Sequence, residues 1–211
     1  IEVAPSATPA EAVRQTVYTV DQANKAELLA RVLDAPEVYS TIVFIRTKHR
    51  TDRIAKQLSK KGFKAQAIHG DRSQAQRQRA LDGFRSGKFN VLVATDVAAR
   101  GIDVQGISHV VNFDIPGKFD DYIHRIGRTA RASATGDAIT FVTPQDFKEL
   151  GAIEKALGRE LPRADWEGAV NVPTLFREKP VAPRNGGPRR SGGRRPFRGR
   201  RPARRAAAAA R

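Results

Sequence analysis

The amino-acid sequence predicts an α/β protein whose central, mainly parallel sheet is covered by helices on both faces, giving three layers. Three observations carry that prediction. Short β-rich runs alternate with helix-period segments from Gln15 onward. The runs VLVA (91–94) and VVNF (110–113) are apolar on both faces, as strands buried between two helical layers are. The polar motifs fall directly after the runs, where an open parallel sheet places its ligands. Alternation of this kind builds strand–helix–strand units.

In chain order, TIVFIR (41–46) is the first strand expected. A helix follows over Lys48 to Lys60, with Thr47 at its N-cap, Ile54, Ala55 and Leu58 facing the core, and Gly62 as its stop. AQAIH (65–69) is the next strand. The helix after it starts at Ser73, where Gln76 three residues on completes a capping box; it shows Ala80, Leu81 and Phe84 to the core and ends near Gly87. NVLVAT (90–95) and SHVVNF (108–113) are strands, a short helix runs from about Asp120, read as its cap, to Ile126 and ends at Gly127, and DAITFV (137–142) closes the series. After Trp166 the periodicity disappears into Pro, Gly and Arg, the composition of a disordered segment. The division expected is a linker over 1–12, a folded domain over 13–167 and a disordered basic tail over 168–211.

Composition narrows the function classes. Of 211 residues, 40% are apolar, enough for a core of ordinary size. The formal charge of +16 is unevenly placed: residues 168–211 hold 13 basic and 1 acidic side chains, leaving a nearly balanced domain in front of a cationic tail. With no cysteine there is no disulfide, thiolate zinc site or cysteine nucleophile, and a cytoplasmic location fits. No apolar run approaches the roughly 18 residues a membrane helix needs, and the N-terminal IEVAPSATPAEA does not have the form of an export signal. The chain has no methionine and opens on Ile1, so a further N-terminal part is expected.

The chemistry gathers on the expected rim. Thr47 follows the first strand, His69, Gly70 and Asp71 the second, Thr95 and Asp96 the third, and Asp114 the fourth. TDVAARGID (95–103) presents hydroxyl, carboxylate and backbone N–H together, a mixture suited to a sugar–phosphate ligand: Asp103 to accept from ribose hydroxyls, Thr95 and nearby amides to donate to phosphate. In YIHRIGRTAR (122–131), Arg128 and Arg131 project past Gly127 as two guanidinium forks able to clamp one phosphate, and His124 and Arg125 beside them add positive charge that calls for an anion. The cradle for that phosphate is absent: Gly87-Lys88 and Gly117-Lys118 are each followed by Phe, and neither has a glycine at the P-loop spacing. The nucleotide must therefore be held by another polypeptide segment.

VFIRT (43–47), HGDRSQAQRQRAL (69–81), VLVATDVAARGID (91–103), VVNFDIP (110–116) and YIHRIGRTAR (122–131) resemble, in order, motifs IV, IVa, V and VI of the C-terminal RecA-like domain of DEAD-box RNA helicases, bacterial members above all. The resemblance covers roughly residues 13 to 160. It implies a RecA-like fold and an ATP-dependent RNA helicase. Arg128 and Arg131 would be arginine fingers for the γ-phosphate, Asp103 would contact the ATP ribose, and His124 would link the site to the other helicase domain. Thr47, Gly70, Gln74, Arg77 and Thr95 would face the RNA backbone, with little sequence preference. ATP and Mg2+ would be held mainly by an N-terminal RecA-like domain of the same protein, since the P-loop and the DEAD tetrad are not in this sequence. Ala130 stands where many members have glycine. The rival readings are a related motor acting on DNA and a non-catalytic RNA-binding module whose arginine-rich tail does the binding.

Overall fold

A computed structural model describes residues 13–99, 104–129 and 136–174. The expected linker, Asp103, Ala130, Arg131 and the expected tail beyond Thr174 lie outside the described residues.

Seven strands form one sheet: β1 (Val13–Thr19), β2 (Thr41–Phe44), β3 (Ala65–Ile68), β4 (Val91–Ala94), β5 (His109–Asn112), β6 (Gly136–Val142) and β7 (Arg163–Ala164). Their spatial order is β3-β4-β2-β5-β6-β1-β7, and every pairing is parallel. The helices are α1 (Lys25–Leu33), α2 (Lys48–Lys60), α3 (Gln74–Arg85), α4 (Asp96–Ala99), α5 (Phe119–Ile126) and α6 (Phe147–Leu157).

Strand side chains alternate between the two faces. Val43, Ile45, Val91, Val93 and Val111 meet Leu28 and Leu29 of α1 and Ile54 and Leu58 of α2 on one face. Ile42, Phe44, Leu92 and Ala94 meet Ala80 and Phe84 of α3 and Ala98 and Ala99 of α4 on the other. Further along that second face Ala138 and Val142 pack under Tyr122 and Ile126 of α5 and Leu150 and Ile153 of α6. Layers on both faces explain why the central strands read as continuous apolar runs.

Each expected strand forms, and the central ones are shorter than their apolar runs. β2 ends at Phe44 rather than Arg46, because the Arg46 N–H turns out of the ladder to donate to Asp114 Oδ2 at 2.9 Å. The Ser73–Gln76 capping box is present in both directions. On α3 the buried stripe is Ala80, Gly83 and Phe84, with Leu81 at its margin. α5 starts one residue early, at Phe119 with Lys118 as N-cap, so Asp120 and Asp121 lie in its first turn and complement the helix dipole instead of capping it. Elements outside the sequence reading are β1, β7, α1, α4 and α6. β1 is buried on alternate residues, including Gln15, whose Oε1 accepts from the Tyr122 hydroxyl at 2.8 Å. α6 closes on Gly158 at φ +71°, a left-handed cap that glycine takes without strain.

The described chain continues past Trp166 against the domain. Trp166 Nε1 donates to the Thr19 carbonyl at 2.8 Å, Val172 is buried in the α5–α6 cluster, and Arg163 donates to the Val172 carbonyl and to Thr174 Oγ1.

Candidate nucleic-acid and nucleotide interface

In the ladder, Ile68 pairs with Ala94, Ala94 with Phe44, and Phe44 with Asn112. The loops after β3, β4, β2 and β5 therefore emerge side by side along one carboxyl rim. Thr47, Gly70 and Gln74 are exposed there, Arg77 is half-exposed, and Thr95 reaches the surface with only 8% of its area. Thr47 is the N-cap of α2, as expected, but its hydroxyl makes no capping bond; only its carbonyl is used, accepting from the Thr51 N–H and hydroxyl. A hydroxyl at a helix start that leaves the cap unmade is available to a ligand.

Two ion pairs and a histidine–carboxylate contact stitch the rim. Lys48 Nζ lies 2.6 Å from Asp71 Oδ2, and Asp52 of α2 takes His69 Nε2 at 3.0 Å and Arg72 Nη2 at 2.5 Å. Gly70 is thus held between two anchored neighbours. Burial raises the Asp52 carboxyl, but the hydrogen bonds from His69 and Arg72 outweigh it and hold it below its ordinary range. Arg77 donates to Gln74 Oε1 at 3.5 Å, and its buried Nε has no partner among the described residues.

A second layer of charge lies beneath the rim. Arg125 is almost wholly buried and forks onto Asp96, Nε to Oδ1 at 2.6 Å and Nη2 to Oδ2 at 2.7 Å. Its Nη1 donates to Asn112 Oδ1 at 3.1 Å and to the Asp114 carbonyl at 2.7 Å, and its guanidinium lies 5.0 Å from the Phe44 ring centroid. Asp114 in turn accepts from Arg46 N–H and Arg50 Nη1. Lys25, also buried, donates to the Phe113 carbonyl at 2.9 Å and stands 3.7 Å from Asp114 and from Asp146. Burial pushes its ammonium below the ordinary lysine value against the pull of those two carboxylates.

This network corrects one step of the sequence reading. Arg125 does not add to a charge in want of an anion, because Asp96 already neutralises it within the fold. Asp96 and Asp114, which follow the third and fourth expected strands on the rim, are committed to internal bonds. Periodicity gives no notice of such pairing; the acid and the arginine are 29 residues apart.

His124 on α5 and Arg128 in the turn after it remain at the surface. Arg128 is partly exposed, with Nε donating to the His124 carbonyl at 3.1 Å, and both border a depression of about 20 Å³ shared with Phe44, Asp96, Ala99 and Asp121. Sites that enclose a nucleotide-sized ligand run to about 300–1,000 Å³. This face fits ATP as one open wall and not as a container. Thr129, directly after Arg128, donates to the Ile107 and Ser108 carbonyls, and a Cβ at Gly136 would lie 2.1 Å from its hydroxyl oxygen. That close approach pins the turn carrying Arg128 to the sheet.

Residues 24–133 match the family described as the helicase conserved C-terminal domain. The chain is 48% identical over 153 residues to the DEAD-box ATP-dependent RNA helicase CshA of Geobacillus kaustophilus, a match covering 72% of this chain and 32% of that protein. It spans about a third of the length of the relatives it matches. Among solved structures, the E. coli DEAD-box protein SrmB bound to regulator of ribonuclease activity A superposes with a TM-score of 0.72 at 37% identity, over 76% of this chain and 96% of that one. S. cerevisiae Dbp5 bound to RNA and ADP BeF3 gives 0.67 at 35% identity, over 72% and 41%.

Proposed function

Because this chain belongs to the helicase conserved C-terminal domain family, and within it to the DEAD-box proteins, we propose that the whole protein is an ATP-dependent RNA helicase. The described domain would be its second RecA-like half. RNA runs along the carboxyl rim, its phosphates meeting Thr47, Gly70, Gln74, Arg77 and Thr95, without base readout and so with little sequence preference. ATP and Mg2+ sit on the N-terminal RecA-like domain, and closure of the two domains brings Arg128 and Arg131 to the γ-phosphate, Asp103 to the ribose and His124 to the facing domain. When water attacks the γ-phosphorus and ADP leaves, the two guanidinium forks offset charge developing on the transferred oxygens. The same closure bends the bound strand and opens a short duplex locally. Residues 168–211, with +12 of the +16 charge, add sequence-independent attraction to RNA. A cytoplasmic location belongs to the same proposal.

One observation carries the reading: of the arginines on one short helix and its following turn, Arg125 is consumed by the fold while Arg128 is kept at the surface beside a shallow wall. The experiment is phosphate release by the complete two-domain protein and by this chain alone. The complete protein turns over with RNA and not with DNA of equal length, and the 211-residue chain alone gives no measurable turnover. Equal stimulation by DNA would make it a DNA motor. Turnover by the chain alone would place a complete nucleotide site within it.

A further inference from the structure

Helix α3 has two polar flanks, and the proposed rim track uses only one. Helical periodicity sets Gln74 and Arg77 on one side of the buried stripe Ala80–Phe84, and Gln76 and Arg79 on the other. That second side borders a pocket of about 260 Å³ running from Arg72 at the rim to Lys88 and Phe89 before β4, along the sheet's outermost strand β3.

The lining contains three cations and no acid. Arg72 gives Nη2 to Asp52, and its Nε is buried with no partner among the described residues. Arg79 uses Nε on the Ala75 carbonyl at 3.3 Å, and Lys88 Nζ stands 5.7 Å from the Phe89 ring centroid. Phe89 is half-buried, and its ring lies on α3 at Gly83, where a Cβ would meet ring carbons at 2.6 Å. A glycine inside a helix costs about 1 kcal/mol relative to alanine, so α3 gives up stability in the place that seats this ring. An aromatic wall with converging cations is the combination that stacks a base and holds its phosphate.

We propose that this flank of α3 is a second RNA site, taking one nucleotide of the strand segment that leaves the rim around the start of α3. Phe89 carries the base, and Arg72, Arg79 and Lys88 hold the phosphate. The inference rests on the RNA reading of the rim and extends it beyond the residues that reading uses. A single nucleotide suits the pocket volume, which lies below the usual range for larger ligands.

The test uses the full 211-residue chain and single-stranded RNAs of about 5 and about 16 nucleotides, titrated across a salt series with thermal melts as folding controls. The double variant Arg79→Gln/Lys88→Gln should bind the longer RNA about fivefold or more weakly and lower its salt slope by up to about 0.7, the one phosphate the site holds. Binding of the short RNA should not change. Phe89→Leu should cost the longer RNA about fivefold with its salt slope intact, since stacking carries no charge. Lys60→Gln/Lys61→Gln, an equal charge change at the end of α2, should leave both RNAs within twofold. Loss of equal size on both RNAs, or a loss matched by the α2 control, overturns the second site. Arg77→Ala separates the two ideas: it should weaken both lengths, and if it changes neither while Arg79→Gln/Lys88→Gln still acts on the longer RNA, the rim reading fails and the flank stands.

Discussion

Arg125 and Arg128 lie three residues apart, yet one is buried in a network beneath the rim and the other stays partly exposed at the surface. Beneath the rim, Arg125, Asp96, Asn112, Asp114, Arg50 and Lys25 form a network whose groups find their partners inside the fold. On the rim, Thr47 leaves its hydroxyl out of the cap, Gly70 and Gln74 are open to solvent, and Arg128 is partly exposed. A charge that is buried and paired is a statement about geometry, because removing its partner leaves an uncompensated group. A polar group held at the surface by anchored neighbours is a statement about a ligand. The lower network gives the upper one its position: Arg125 fixes α5 against α4 and β5, and Asp114 fixes the start of the loop leading to Thr47.

If that division holds, substitutions below the rim should cost stability and those on it should cost function. The largest stability effect is expected for Arg125→Ala, which strands Asp96, Asn112 and the Asp114 carbonyl together. The loss should be about 3 kcal/mol, the lower end for a broken buried pair because Asp96 is partly solvated, and it should appear as a fall of roughly 6–12 °C in Tm. A change under 1 °C would break the comparison outright.

A smaller effect sharpens it from the other side. Glu154 of α6 is buried; Oε1 accepts from the Leu161 N–H at 3.1 Å, and Oε2 has no partner among the described residues. Burial raises its carboxyl above the ordinary 4.5 in spite of the Leu161 bond. The folded state therefore holds the proton more tightly than the unfolded chain, and stability falls as pH rises from about 4.5 through the raised value. Above the raised value the cost is fully present. Glu154→Gln should raise stability there by up to about 1 kcal/mol, and the gain should vanish as pH falls to about 4.5, as read by urea unfolding at several pH values. A gain independent of pH would point to packing instead.

The smallest effect on stability is expected for Thr47→Ala. Replacing a working N-cap costs about 0.5–2 kcal/mol, but this hydroxyl caps nothing, so the melt should move by less than about 0.5 kcal/mol while RNA affinity falls. A full capping loss would return Thr47 to the fold and remove it from the interface.

Much of this arrangement was legible in the sequence because the motifs directly follow apolar strands of the sheet. VLVA and VVNF announce β4 and β5 by lacking any polar face, and Ser73–Gln76 announces α3 by its spacing. β1, paired with β6 and β7, was harder to read, since VRQTVYT places Gln15 on the buried side and only the distant Tyr122 hydroxyl explains that choice. α1 and α6 carry no ligand motif and drew no notice. The pairing of Arg125 with Asp96 was illegible for a different reason: it joins two motifs each of which, alone, looks like a site. The same holds for Phe89, whose role shows only when Gly83 is seen beneath it.

The central claim is that Arg128 and Arg131 act on a phosphoryl group while buried Arg125 holds the end of α5 in place. Its most direct test is steady-state ATPase kinetics of the complete two-domain protein carrying Arg128→Lys or Arg131→Lys, at saturating RNA and with melts as folding controls. Lysine keeps the charge but loses the planar fork. Since arginine fingers contribute roughly 10³–10⁵ in rate, turnover should fall by at least about a hundredfold with the melting temperature unchanged. Near-normal turnover in folded protein for both substitutions would contradict the account.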